Sequence, residues 1–256
     1  MTATRTIELE FNDQYGIFTH VGELKDQDLS VCRDIFDSDE YFTVLLPTVG
    51  VGEIVVDVGS HIGTFARKWQ MKNPLCRISC VEVCPENWPI LEANVGGFAE
   101  NICKAACTYE TGKIKLYNSI QQQGGSATGG SAIVNEHGEG QCYDHRYWED
   151  DRPIERITLE QIMEQMKSDH IDVLKLDCEG SEFSILSGTP SLGKIGMIIG
   201  EWHGRERFNK LLAERFTATE WDTGIMHVNN DLGIFHLRNR KYWDENWQRK
   251  AAGEQA

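Results

Sequence analysis

Three things are missing from this 256-residue chain, and each absence removes a class of protein. None of its eight cysteines forms a C-x-x-C pair, the spacing that zinc sites and redox dithiols use. No apolar run approaches the roughly 18 residues of a membrane-spanning helix, and the first ten residues hold no apolar stretch of signal-peptide length. A basic excess is missing too: 25 Lys+Arg stand against 40 Asp+Glu, a formal charge of -15. A protein that holds nucleic acid or an anionic membrane mainly by charge needs the opposite balance.

What remains is an ordinary folded composition, 40% apolar and 25% charged. Cys76, Cys80 and Cys84 recur every four residues, as do Cys103 and Cys107, among apolar neighbours such as Leu75, Ile78, Val81 and Ile102. Such cysteines are expected to be small buried hydrophobes with reduced thiols, which points to a soluble, cytoplasmic protein. No internal repeat is present.

From about residue 54 onward, short apolar runs alternate with helical patterns. Ile54–Val58, Ile78–Val83, Val173–Leu176 and Met197–Ile199 lack alternating polarity and read as strands buried on both faces. Between them, about residues 61–73, 86–99, 159–168, 182–186 and 205–215 have helical composition. The alternation predicts an α/β fold with a doubly wound parallel sheet. Phe216–Trp221 and Gly233–Leu237 read as a closing antiparallel hairpin turned at Asn229-Asn230-Asp231. Three units are expected: an extension over residues 1–50, a main domain over 51–240 and an aromatic, polar tail over 241–256, frayed from Gln248. Within the main domain, residues 121–152 run through glycine, serine and glutamine with little core-forming material. They read as a linker or as a lid over a site.

The most informative segment is Asp57-Val58-Gly59-Ser60-His61-Ile62-Gly63-Thr64, where a buried strand enters a glycine turn and then a helix. Such turns bind nucleotides through the N–H groups at the helix start, with small residues letting the ligand approach. A dinucleotide fingerprint needs glycines at 59, 61 and 64, but His61 and Thr64 occupy the last two, and an imidazole would obstruct a pyrophosphate. The spacing is D-x-G-x-x-x-G, and an acid two residues before the turn favours a cationic ligand. S-adenosylmethionine, with an ammonium and a sulfonium, fits. The next strand ends at Glu82-Val83, where a carboxylate can accept ribose hydroxyls. Asp57, Gly59, Ser60, His61, Gly63, Thr64, Glu82 and Val83 are therefore expected to hold the donor.

Three stretches carry a resemblance: Val56 to Gly63, Val81-Glu82-Val83-Cys84-Pro85-Glu86-Asn87, and Leu174-Lys175-Leu176-Asp177-Cys178-Glu179-Gly180-Ser181-Glu182. Together they resemble the FkbM-type methyltransferases over about residues 41–237, the last run being the most specific. The resemblance implies a seven-stranded class I methyltransferase sheet, S-adenosylmethionine as donor and O-methylation of a sugar or secondary metabolite. It also implies that Ala105-Ala106 lie beside the adenine. His61 departs from it, since that family more often has Asn there, and so does the long glycine-rich 121–152 segment.

Methyl transfer to an alcohol requires orientation and removal of a hydroxyl proton, by a general base or by a divalent cation. One strand finishes at Asp177 and the following one at Glu201-Trp202-His203. If these strands are neighbours, Asp177, Glu201 and His203 meet at the carboxyl edge of the sheet as the catalytic groups. Asp177 and Glu201 offer oxygen ligands to Mg2+ or Mn2+, and His203 has the ordinary pKa of a base. Other roles are open: Asp177 capping a helix or holding the donor's ammonium, and Glu201 paired with Lys175. Among the remaining histidines only His145, in the glycine-rich segment, has a site within conceivable reach. Tyr143, Tyr147, Trp148, Tyr242, Trp243 and Trp247 read as a sugar-stacking platform or as packing, in the core or against a second copy. The expected partner is a small hydroxylated acceptor, with neither nucleic acid nor membrane involved. The rivals are an N-methyltransferase, an NAD-type oxidoreductase and a binding protein without turnover.

Overall fold

The computed structural model describes residues 6–10, 17–21, 26–38, 41–42, 52–109, 114–119, 132–135, 147–150, 154–228 and 232–251. Its centre is a seven-stranded sheet of β3 (Ile54–Val58), β4 (Arg77–Val81), β5 (Asn101–Cys103), β11 (Ile171–Leu176), β12 (Ile195–His203), β13 (Trp221–His227) and β14 (Leu232–Asn239). The order across the sheet is β13-β14-β12-β11-β3-β4-β5. β5, β4, β3, β11 and β12 are parallel, and β14 enters antiparallel between β12 and β13. The chain runs from β3 outward through β4 to β5 and returns on the other side of β3 as β11, so the carboxyl ends of β3 and β11 form a switch point at which such sheets bind ligands.

Both faces are covered, which is why the central strands are apolar at nearly every position. On one face Val56, Val58, Leu174, Leu176 and Ile198 pack against α4 (Leu159–Gln165), α5 (Glu182–Gly188) and α6 (Arg205–Arg215). On the other, Val55, Val173, Met197 and Ile199 pack against α1 (Asp26–Phe36), α2 (Thr64–Lys72), α3 (Trp88–Val95) and the start of α7 (Arg240–Ala251). Each fully buried aliphatic side chain contributes about 1.5–3 kcal/mol. Since successive strand residues alternate faces, Asp57, Lys175, Glu201 and His203 share the second face, toward α1 and α2. α4 begins with a reciprocal cap: Thr158 Oγ1 accepts from Gln161 N at 3.2 Å, and Gln161 Oε1 accepts from Thr158 N at 2.9 Å.

The smaller strands lie outside this sheet. β1 (Thr6–Glu10) and β2 (Ile17–Val21) form an antiparallel pair, and β6 (Ala106–Cys107) pairs in parallel with β10 (Arg156–Ile157). β7 (Ile114–Ser119), β8 (Ala132–Asn135) and β9 (Tyr147–Asp150) make a third, antiparallel sheet. The segment read as a loop thus contributes two strands; its other residues, with Tyr143 and His145, lie outside the described ones.

Other expectations shift. Phe216 is not in a strand but ends α6, and Trp221 N donates to Thr217 O at 2.9 Å in a turn, so the strand begins only at Trp221. The hairpin of β13 with β14 forms as predicted, with its turn at 229–231 outside the described residues. The tail is not frayed from Gln248, because α7 continues to Ala251. Tyr242 and Trp243 pack inward, donating to Asp172 Oδ1 at 2.7 Å and to Gly196 O at 2.9 Å. The seven cysteines of the described residues are free thiols. Burial pushes them up, Cys32 to about 11 and Cys76 to about 12, so they behave as hydrophobes.

Candidate active site

The turn after β3 is built by its own backbone. Gly59 N and Ser60 N both donate to Val81 O at 3.0 Å, and Gly63 N donates to Ser60 O at 2.7 Å. Ser60 Oγ donates to Asp57 O at 2.7 Å and accepts from Val81 N at 2.9 Å. The glycines are needed for reasons other than ligand access. Gly59 has φ +73°, and a Cβ there would stand 1.8 Å from the Asp177 carbonyl oxygen. Gly63 has φ +88°, and a Cβ there would meet Val95 at 2.5 Å. The space beside each glycine is taken by the protein itself. His61, at φ 52°, stays left-handed without being glycine. Its N donates to Glu82 Oε2 at 2.7 Å and its Nε2 lies 3.1 Å from Asp28 Oδ1 on α1. Thr64 Oγ1 is 3.5 Å from Cys32 Sγ, also on α1.

Asp57 departs from its expected role. It is completely buried and faces Lys175 Nζ at 3.3 Å, so direct contact with a ligand is closed to it. Burial raises its carboxyl pKa, with Lys175 pulling the other way. Glu82 is also buried, and besides His61 N it accepts from Cys84 N at 2.8 Å and Asn87 Nδ2 at 3.2 Å. Both of its oxygens already serve the loop, so any ribose bonds come in addition to these. Val83 follows Glu82 directly, and Ala106 is buried in β6 against β10.

At the ends of β11 and β12 the expected groups do meet. Asp177, Glu201 and His203 each offer a ligand atom within 4.8 Å of the others'. β12 continues through His203, which keeps Glu201 and His203 on one side. Lys175 Nζ donates to Gly59 O at 2.7 Å and lies 3.5 Å from Asp177 Oδ2, so its ion pairs run to Asp57 and Asp177. Burial raises the Asp177 carboxyl, but Lys175, His203 and the Tyr41 hydroxyl together hold it below the usual carboxylate range.

His203 is not the neutral base its ordinary pKa would make it. Its Nδ1 lies 2.9 Å from Glu182 Oε1, and its Nε2 lies 3.4 Å from Glu179 Oε2 and 3.7 Å from Glu201 Oε2. Burial alone would lower the imidazole, yet Glu182, Glu179 and Asp177 push it up to about 10. In the absence of a cation the ring is charged at neutral pH.

Three contributors escaped sequence reasoning. The Tyr41 hydroxyl lies 3.1 Å from Asp177 Oδ2 and 3.4 Å from Glu201 Oε1, bridging two strands from a segment far away in the chain. Nothing in the local pattern around Tyr41 announces this. Glu179 and Glu182 lie within the Lys-x-Asp-x-Glu-Gly-x-Glu run, whose spacing could have revealed them. Glu182 has no exposure and accepts from Gly180 N at 2.8 Å and His203 N at 3.1 Å.

A seven-stranded sheet with an antiparallel penultimate strand, a glycine turn after its central strand and carboxylates at the adjoining edges define a class I methyltransferase. Residues 57–228 match the family model of the methyltransferase FkbM domain, well over half of the chain. The chain belongs to the FkbM methyltransferases, a family of S-adenosylmethionine-dependent enzymes. Comparison with curated proteins finds no match. Among solved structures it is similar to an FkbM methyltransferase from Methylobacillus flagellatus KT, at 16% identity and TM-score 0.49. That likeness covers 78% of this chain and 47% of the other, so this chain spans less than half of that protein's length. Precorrin-6y C5,15-methyltransferase from Geobacter metallireducens GS-15 is similar at 9% identity and TM-score 0.41, over 90% and 94%. A Pyrococcus abyssi tRNA (uracil-54, C5)-methyltransferase, solved with S-adenosyl-L-homocysteine, is similar at 10% and 0.43, over 91% and 44%.

The residues present fit a cationic donor by charge. Asp177, Glu179 and Glu201 present part-exposed carboxylates at this edge, while Lys175 is turned inward and buried. A polyphosphate would meet the wrong sign here.

Proposed function

We propose that this chain transfers a methyl group from S-adenosylmethionine to a hydroxyl of a small acceptor, a sugar or secondary metabolite, in the cytoplasm. The observation that carries this reading is the meeting of Asp177, Glu201 and His203 at the strand ends beside the glycine turn. The donor, when bound, supplies a methyl on a positively charged sulfur, already activated for in-line displacement. The turn from Gly59 to Thr64, with Glu82, Val83 and Ala106, would hold it. Asp57 contributes from below, through Lys175 and the Gly59 carbonyl to which that lysine is bonded.

On the acceptor side, Asp177 and Glu201 would orient the hydroxyl and receive its proton, either unaided or with Mg2+ or Mn2+. The low pKa of Asp177 suits orientation better than proton removal, which leaves removal to Glu201 or to a cation. Without a cation, a charged His203 would hold Glu179 and Glu201 together. The net charge of -15 supports a small-molecule partner over nucleic acid, and among the described residues no helix is long and apolar enough to cross a membrane.

Calorimetric titration with S-adenosylmethionine and S-adenosylhomocysteine is the first test, followed by transfer of labelled methyl to hydroxylated and amine acceptors. Donor binding with label reaching hydroxyls is expected. Absence of donor binding, or label reaching only amines, would overturn the reading.

A further inference from the structure

We propose that Asp177, Glu201 and His203 bind a first-row divalent metal ion, manganese in preference to magnesium, with Tyr41, Lys175 and Glu182 holding the three ligands in place. The inference deepens the proposed transfer and rests on it for the metal's purpose, but not for its binding.

Each of the three groups has two atoms able to ligate, and in each an outer residue holds one of them. Asp177 Oδ2 lies 3.1 Å from the Tyr41 hydroxyl and 3.5 Å from Lys175 Nζ. Glu201 Oε1 lies 3.4 Å from the same hydroxyl. His203 Nδ1 lies 2.9 Å from Glu182 Oε1. One ligand atom from each of the three groups lies within 4.8 Å of the others, with His203 Nε2 and Glu201 Oε2 facing one another. Adjacent ligands around an ion at about 2.1 Å stand roughly 3 Å apart. His203 Nε2 and Glu201 Oε2 are 3.7 Å apart and the three groups stand within 4.8 Å of one another, so side-chain rotation must draw them in to close around an ion.

The imidazole is the decisive member. It is more than nine-tenths buried, on a strand end, and its orienting carboxylate has no exposure and is itself fixed by Gly180 N and His203 N. A histidine whose other nitrogen is held by a fixed carboxylate is the arrangement that orients metal-bound imidazoles. Magnesium prefers oxygen alone and keeps its waters, whereas a nitrogen ligand raises affinity for first-row transition ions, manganese included. Three protein ligands leave positions for water or for the acceptor hydroxyl. Glu179 Oε2, 3.4 Å from His203 Nε2, is the carboxylate placed to add a fourth.

The test uses the full chain, stripped with chelator and titrated with Mn2+ and with Mg2+ separately. Free Mn2+ is followed by electron paramagnetic resonance and heat by calorimetry. One Mn2+ per chain, bound at least tenfold more tightly than Mg2+, is expected. His203→Asn and Glu182→Gln should weaken Mn2+ by on the order of 10–100-fold and Tyr41→Phe by less, with S-adenosylhomocysteine affinity changed little. Because Glu182 is buried, metal-free melting temperature and circular dichroism accompany each variant, and the part-exposed Glu201→Gln supplies a loss that does not depend on folding. Equal, weak binding of both ions, indifferent to His203→Asn and Glu201→Gln, would overturn the site and mark general cation association with an acidic chain. Methyl transfer at an undiminished rate in chelator would likewise overturn the metal while sparing the transferase reading. Failure of S-adenosylhomocysteine to bind would do the reverse.

Discussion

Two acidic strand ends lie side by side in this sheet, and they behave in opposite ways. After β3 and β4, Asp57 and Glu82 are 0% and 5% exposed. At the ends of β11 and β12, the Asp177 and Glu201 side chains are 30% and 19% exposed. In sequence both pairs are acids near a glycine at the end of an apolar run. The first pair is spent on the protein, Asp57 beneath Lys175 and Glu82 under the turn's amides. The second is stabilised from behind, by Tyr41 and Lys175, and keeps access to the outside. The lesson is that an acid at a strand end serves a site only when the groups that hold its charge leave part of it exposed. A buried carboxylate without such support takes up a proton, because desolvation raises its pKa.

The strongest way to break the contrast is Gly59→Ala. The left-handed backbone costs about 1–2 kcal/mol and overlap with the Asp177 carbonyl at 1.8 Å adds about 3 or more because backbone cannot yield as a side chain can, which together reach the lower end of a domain's net stability. Little folded protein should accumulate, as measured by urea unfolding. Gly63→Ala meets side chains of Val95 and Leu91 instead of backbone and should be milder. Next comes Lys175→Met, which strands Asp57 and should cost about 3–5 kcal/mol. Adding Asp57→Asn should recover part of that loss, and a double variant no more stable than the single one would show that Asp57 does not depend on Lys175.

On the acceptor side the expected effect moves from stability to rate. Glu201→Gln should lower methyl transfer by on the order of 10²-fold, with thermal stability nearly unchanged because the residue lies at a partly open edge. A large drop in melting temperature instead would place Glu201 with Asp57, among the structural acids.

The smallest effect belongs to the opposite edge of the sheet. There a hydrogen bond to Asp172 raises His170 above 6.5, burial opposes this, and Asp169 assists. A raised folded pKa means that the contribution is complete below about pH 6.5 and fades as pH climbs through the folded value. The stability advantage of wild type over His170→Gln should therefore be larger at about pH 6 than at about pH 9. An advantage that grew with pH would reverse the assignment.

The sheet was legible because its strands are buried on both faces, which leaves runs that are apolar but for one residue, Asp57 in Val55–Val58 and Lys175 in Val173–Leu176. The convergence of Asp177 with Glu201 and His203 was legible too, since parallel neighbours end at the same edge and residues two apart share a face. Charge state was not. The pKa of His203 depends on Glu179 and Glu182, which reach it only through folding, and spacing along the chain carries no measure of desolvation. A second role of Gly59 was hidden for a similar reason: a missing Cβ shows that something comes close, not whether it is a ligand or the neighbouring strand's carbonyl. Tyr41 was invisible, because its role rests on a contact across 136 positions.

The hold of residues 26–42 on the sheet has a practical consequence for anyone dividing this protein. The family match begins at residue 57, yet Asp28 and Cys32 reach His61 and Thr64, and Lys68 Nζ donates to Ile35 O. Tyr41 and Phe42 meanwhile cover Phe65 and Trp69. A fragment excised at the recognised boundary would uncover an aromatic face and lose the Tyr41 hydroxyl that bridges the ends of β11 and β12. The smallest unit worth expressing or transplanting therefore starts ahead of Asp26, some thirty residues before the homology does.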